Sequence, residues 1–351
     1  MFVTHRLLRL MLLYIAAGFT GWGFRTLGVP LPWMIGPLLL SAALFVSGIA
    51  SAPVPVQTRP FGQMTVAAQV GLAFSPTALA AVFDLAPLLI GSALLSAFCA
   101  LSLGVMLSKI TRIRLPQAIL SIFPTSPVEA AVMAEHYRCD PAPVILSQTV
   151  RIAAIVILVP ISLYLIDGWP DRSGTVRQTT FDPLGNMLLA AIAVFAAVLF
   201  KKLRLSNPYF LGPLTFIAAL TSAGVSLPAF PPEVLAAAQI VLGTWLGSTF
   251  RRSLFARGRE LVIAAFGGSI ALLIAVSTIA VCLAFLSDQS WEVLVLGAAP
   301  GGVTEMALTA KFLGIDVALV TAFQLTRILL FMPNLPWIIR LISNWETRRR
   351  S

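Results

Sequence analysis

The stretch Ala299-Pro300-Gly301-Gly302-Val303-Thr304-Glu305-Met306 decides the reading of this chain. It lies in a long apolar context, yet it carries a proline, paired glycines and a carboxylate. Its counterpart lies 176 residues earlier, Phe123-Pro124-Thr125-Ser126-Pro127-Val128-Glu129-Ala130, with Pro124 on Pro300 and Glu129 on Glu305. Each copy is followed at the same distance by an aspartate, a glutamine and an arginine: Asp140, Gln148, Arg151 and Asp316, Gln324, Arg327. A carboxylate and an arginine within apolar sequence are costly at membrane depth, so their recurrence in register calls for a cause.

Working outward, the register holds from Pro32-Trp33-Met34-Ile35-Gly36-Pro37-Leu38, matched by Pro208-Tyr209-Phe210-Leu211-Gly212-Pro213-Leu214, to Pro160, matched by Pro336. Gln63, Gly71 and Phe74 match Gln239, Gly247 and Phe250. Ala67-x-x-x-Gly71 and Gly243-x-x-x-Gly247 are small-residue patterns that let helices approach closely, and packing is their expected use. The duplication predicts two membrane repeats, 1–170 and 171–351.

Composition fixes the class. Hydrophobic residues make up 58% of the 351 positions and charged residues 11%, far below the roughly 25% of soluble domains. Apolar runs near the roughly 20 residues that cross a bilayer recur from end to end. The sequence therefore predicts an all-α polytopic membrane protein with the lipid bilayer as its surroundings. The apolar run after His5, Arg6 and Arg9 reads as a retained first span. The net charge of +10 comes from short basic clusters between apolar runs, the pattern of cytoplasmic loops, and gives no reason to expect nucleic acid. Three dispersed cysteines and two histidines offer neither a disulfide framework nor a metal site, and no cofactor is expected.

Charge also sets the expected topology. Lys109, Arg112 and Arg114, then Lys201, Lys202 and Arg204, then Arg251, Arg252, Arg257 and Arg259 belong inside, as do both termini. The linker 167–182, with three aspartates, belongs outside. Five full crossings per half, plus one segment per half that enters and returns, meet all of these. The returning segments are 116–137 and 292–313, broken at Pro124/Pro127 and at Pro300/Gly301/Gly302. Five crossings per half make the repeats inverted, an arrangement common in transporters.

The candidate binding residues follow from the breaks. A broken helix exposes N–H groups that suit anions, while a nearby carboxylate suits a cation or a proton. Glu129, Glu305, Pro124, Pro300, Gly301, Gly302 and Thr304 line the breaks. Gln148/Arg151 and Gln324/Arg327 are spaced to share a helix face that must point into protein. An unpaired Arg327 would be costly, so a carboxylate partner is expected, with Glu305 or Glu129 as the candidates. Two readings of the set stand: a transport site, or Glu–Arg bridges joining the halves. Asp140 and Asp316 read as helix-cap or loop aspartates.

The duplicated P-W-x-x-G-P-L and P-G-G-x-x-E-M…D…Q-x-x-R pattern resembles the bacterial membrane AbrB-duplication family over nearly the whole chain. The first copy departs from it, with Thr125-Ser126-Pro127 in place of Gly301-Gly302-Val303. The resemblance implies a bacterial inner-membrane location. It also brings three labels: transporter, regulator of gene expression, and ammonia monooxygenase. Two unclustered histidines argue against the monooxygenase, so no enzyme is expected. The lack of a soluble module argues against direct DNA binding. A secondary transporter of a small polar or charged solute, coupled to a proton or sodium ion, is the favoured expectation. The alternative is a membrane protein that affects expression indirectly, through a partner or by sensing a solute.

Overall fold

The structure is a computed structural model describing residues 2–50, 54–168, 182–205, 207–252 and 259–350. Most of the linker read as external (169–181), and Arg257 of the basic cluster, lie outside the described residues. The described residues form fifteen α-helices and no strand. In the first half these are α1 (Phe2–Thr26), α2 (Pro32–Ser47), α3 (Arg59–Gly71), α4 (Pro76–Asp84), α5 (Ala86–Thr111), α6 (Leu115–Ile122), α7 (Pro127–His136) and α8 (Pro141–Asp167). The second half has α9 (Pro183–Lys202), α10 (Pro208–Ser222), α11 (Pro232–Ser248), α12 (Arg259–Ser287), α13 (Trp291–Ala298), α14 (Val303–Leu313) and α15 (Val317–Arg350). Proline opens or nearly opens many of these helices, because its missing N–H is lost at no cost in the first turn.

Among the described residues, five helices combine the length and hydropathy needed to cross a membrane: α5, α8, α9, α12 and α15. The protein is a polytopic all-helical membrane protein. α2 and α10, at 16 and 15 residues, reach only about 24 and 22 Å at 1.5 Å per residue, short of a hydrocarbon core of about 30 Å. α3, with the 3-10 turn Val56–Thr58 before it, ends at Gly71, and the chain bends by 88° into α4. Pro76 cannot continue the preceding helix, and the Ser75 hydroxyl caps the new one by accepting from Ala78 N at 3.1 Å.

The duplication extends to the backbone. Left-handed residues pair at equivalent positions: Gly28 with Arg204, Leu31 with Asn207, Gly48 with Gly224, Arg112 with Asp288, and Arg138 with Gly314. In four of these five pairs neither or only one member is a glycine free to adopt positive φ without strain, so the conformation is imposed by the fold.

Two compact units can be distinguished, and each takes segments from both halves. The first contains Met1–Asp84, Val159–Arg251 and Ala307–Leu319. In it α3 packs on α9, α10 and α11, and α2 packs on α1 and α11. Its glycines mark bare backbone contacts. A Cβ on Gly243 would lie 2.3 Å from the Met34 carbonyl oxygen, and one on Gly247 2.3 Å from that of Leu38. Gly71 meets Ile217 of α10 as Gly247 meets Ser41 of α2, again at equivalent positions. The small-residue patterns are thus packing seams. Two buried amides tie this unit together: Gln63 Nε2 donates to Asn207 Oδ1 at 3.3 Å, and Gln69 Oε1 accepts from Phe230 N at 3.0 Å.

The second unit contains Leu85–Leu158, Arg252–Met306 and Val320–Ser351. In it α5 packs on α6, α12 and α13, and α12 packs on α13. Both proline breaks, 123–126 and 299–302, lie in this unit, with the parts of α8 and α15 that carry the glutamines and arginines, while α14 from Ala307 on belongs to the first.

Candidate functional site

Each broken segment is a pair of short helices separated by four non-helical residues. α6 stops at Ile122 and α7 starts at Pro127, while α13 stops at Ala298 and α14 starts at Val303. Pro124 and Pro300 enforce the stops, since neither can donate to the preceding turn. A helix that stops leaves its last carbonyls without intrahelical partners, a heavy penalty where water is absent.

The glutamines and arginines meet that need. Gln148 Nε2 donates to the carbonyls of Leu120 and Phe123 at 2.6 and 2.9 Å. Arg151 Nη1 donates to Ile122 and Phe123, both at 3.2 Å, and its Nη2 to Thr125 at 3.3 Å. The second copy repeats this residue for residue. Gln324 Nε2 donates to Leu296 and Ala299 at 2.7 and 3.0 Å. Arg327 Nη1 donates to Ala298 at 3.2 Å and also to Ala299, and its Nη2 to Gly301 at 3.0 Å. Gln148 and Gln324 are fully buried, and Arg151 and Arg327 are each 3% exposed.

This corrects the expectation of a carboxylate partner for Arg327. Its guanidinium is held by the carbonyl end of α13, the negative pole of that helix, together with Gln324 Oε1, which accepts from Nη2 at 2.7 Å. The two Nη groups supply the donors that the stopped helix end lacks.

The glutamates sit at the other side of each break. The carbonyls of Ser126 and Gly302 accept the first intrahelical bonds of α7 and α14, from Ala130 N at 2.9 Å and Met306 N at 3.1 Å. Glu129 and Glu305 are therefore the third residues of their helices, the capping-box position from which a glutamate reaches back toward the start. A Cβ on Gly302 would come 2.0 Å from Glu305 Oε2, so that carboxylate does fold back over the glycine. Glu129 Oε2 accepts from the Thr125 hydroxyl at 3.3 Å. Both are half-buried, while Pro300 and Thr304 are buried.

The structure thus brings all the candidate residues to the two breaks, the glutamines and arginines on the carbonyl side and the glutamates on the amide side. Sequence reasoning missed that the carbonyls of residues 120, 122, 123, 296, 298 and 299 are half of the arrangement, and no side-chain pattern announces a backbone partner. It also missed how the copies interlock. The Phe123 ring lies 4.7 Å from that of Phe331 on α15, and a Cβ on Gly301 would meet Ile155 of α8 at 3.0 Å. Ile155 and Phe331 are equivalent positions, so each long helix clamps its own break and braces the other. Asp140 and Asp316 do cap α8 and α15, accepting from Ala142 N at 3.0 Å and Leu319 N at 2.9 Å. Among the described residues no group of three or more His, Cys, Asp or Glu is placed to hold a metal ion.

An all-helical membrane protein with a duplicated, helix-breaking polar core is the class that fold and site define. The profile of the family described as "Transition state regulatory protein AbrB" matches residues 2–167 and 51–343. The chain belongs to this AbrB family, in its duplicated membrane form. It is 26% identical over 350 residues to "Uncharacterized protein YhjN" of Bacillus subtilis strain 168, covering 92% of this chain and 90% of that one. It is 22% identical over 331 residues to "Putative regulator AbrB" of Escherichia coli K12, covering 93% and 94%.

Proposed function

We propose that this protein is a secondary transporter of a small polar or charged solute, with its site at the two helix breaks. The observation that carries the reading is the pair of buried Gln–Arg clamps holding two helices broken inside a membrane protein. Structure alone gives little reason for them, because an unbroken apolar helix would satisfy its own backbone without burying a cation. Breaks that present free helix ends and ionisable groups within the bilayer serve solutes and coupling ions. Under this reading Glu129, Glu305, Thr304, Gly301 and Gly302 face the solute or a coupling proton or sodium ion, and the clamps fix the geometry. The same reading takes the repeats as inverted, both termini as cytoplasmic and the membrane as the bacterial inner membrane. No enzymatic activity, cofactor or direct nucleic-acid contact is part of it.

The second reading follows the word regulator in the name of the Escherichia coli relative. It makes the protein a membrane-embedded sensor or scaffold that alters expression through a partner. Purified protein in liposomes separates the two. A transporter moves a solute under an imposed ion gradient, and Glu305→Gln abolishes flux while the protein still folds. A scaffold moves nothing across a broad solute panel and copurifies with a partner.

A further inference from the structure

Each clamp leaves one guanidinium nitrogen without a partner among the described residues, and it is the same atom in both. The Nη groups of Arg151 and Arg327 are committed to carbonyls, while the Nε–H of each is buried and has no hydrogen-bond partner among the described residues. An unsatisfied donor on a buried cation is among the more costly features a fold can keep, and here it is kept twice at equivalent positions.

The two cations also converge. The Phe123 carbonyl holds Arg151, and the Phe123 ring packs on Phe331, one helical turn beyond Arg327. The Gly301 carbonyl holds Arg327, and Gly301 packs on Ile155, one turn beyond Arg151. The two guanidiniums are thus linked through one packing contact from each break to the opposite long helix. Among the described residues neither has a carboxylate as a hydrogen-bond partner. A helix C-terminus offers each only about half a negative charge, so the pair retains positive charge of about one unit. Glu129 and Glu305, the acidic groups of the same breaks, lie at the amide ends of α7 and α14, where the helix poles favour them.

We infer that Arg151 and Arg327 together form an oxyanion site, which takes a carboxylate or phosphate group of the solute on their two Nε–H donors. The inference rests on the transport reading and gives it a substrate class: small solutes carrying an oxyanion. The committed Nη groups keep both guanidiniums preorganised, so a bound anion need not order them. Bound cations are disfavoured by the same positive charge.

Thermal unfolding of the purified protein in detergent tests this, with sodium acetate or sodium phosphate titrated against sodium chloride at equal ionic strength. The expected result is a saturable rise in Tm with acetate or phosphate beyond the chloride control. Arg151→Lys and Arg327→Lys keep the charge and a donor for the carbonyls but lose Nε, and each should raise the half-saturating concentration tenfold or more. The wild-type protein supplies a readout free of folding artefacts. With 15N-labelled arginine, the solvent-protected Nε–H resonances should shift on acetate or phosphate titration. Static resonances, or a Tm rise that is unchanged in both lysine variants, overturn the site. So does a response to ammonium chloride that sodium acetate and sodium phosphate lack. Anion binding without flux in liposomes would leave the site standing and remove the transport reading. Flux of a cation with no anion binding would do the reverse.

Discussion

Replacing Arg327 by methionine distinguishes the clamp from an ion pair. The substitution strips the carbonyls of Ala298 and Gly301 of the donors the structure gives them, while Ala299 keeps Gln324 Nε2. Two orphaned buried acceptors cost about 1–3 kcal/mol each. Part of this is offset, because a buried cation that insertion scales set at about 2.5–3.5 kcal/mol is also removed. The single-mutant change is therefore a difference of similar quantities, and the double-mutant cycle is the decisive measurement. If Arg327 were paired with Glu305, Glu305→Gln would restore much of the loss, since removing one member of a buried pair costs about 3–5 kcal/mol. The clamp predicts additivity within about 0.5 kcal/mol for Arg327→Met with Glu305→Gln. It predicts coupling of about 0.5–3 kcal/mol for Arg327→Met with Gln324→Leu, because these residues share the Ala299 carbonyl and bond each other at 2.7 Å. Unfolding in mixed micelles, followed by tryptophan fluorescence, supplies the four corners of each cycle. Rescue of Arg327→Met by Glu305→Gln of more than about 1 kcal/mol would refute the clamp.

The same measurement on Arg151→Met should show a smaller loss than Arg327→Met, because the Arg151 bonds are 3.2–3.3 Å long and Gln148 Oε1 accepts none of them. Gly243→Ala should destabilise by about 1–3 kcal/mol, its Cβ arriving 2.3 Å from the Met34 carbonyl oxygen, whereas Gly91→Ala and Gly267→Ala, with nothing within 4 Å, should stabilise by up to about 1 kcal/mol. Gly302→Ala should displace the Glu305 carboxylate, which the new Cβ would meet, and under the transport proposal reduce flux at unchanged expression. Burial pushes the Cys139 thiol, between α7 and α8, above its ordinary range. Since only the thiolate reacts, its maleimide labelling should be slow at neutral pH and keep accelerating with pH beyond the range of an ordinary thiol. A rate matching a free thiol at pH 7 would contradict that burial.

The charged residues were legible from spacing, because apolar sequence gives an intramembrane Glu, Gln or Arg no background to hide in. Helix starts were legible for a related reason: prolines at 32, 127 and 208 each mark a first turn. The partners were not. Arg327 suggested a carboxylate because sequence displays side-chain charge and nothing else, and the backbone carbonyls that hold it have the same composition at every residue. The left-handed positions were hidden likewise, since Arg204 occupies in one copy the turn that Gly28 makes in the other. Nor could spacing reveal that each compact unit draws on both halves.

That last point bears on why the duplication was retained in register. Arg151 is clamped by Phe123, Phe123 rests on Phe331, and Phe331 shares α15 with Arg327; the reverse path runs from Arg327 through Gly301 and Ile155 back to α8. A shift of either long helix relative to the other therefore strains both breaks at once. Two breaks so joined have shared arrangements rather than independent ones, which is what the proposed transport site would need in order to open alternately to two sides. Shrinking one contact tests this coupling without touching a polar group. Phe331→Ala should loosen the Phe123 break and, through α15, the Arg327 clamp as well. Hydrogen exchange should rise at α6 and α13 together, and exchange confined to α6 would show that the breaks act separately.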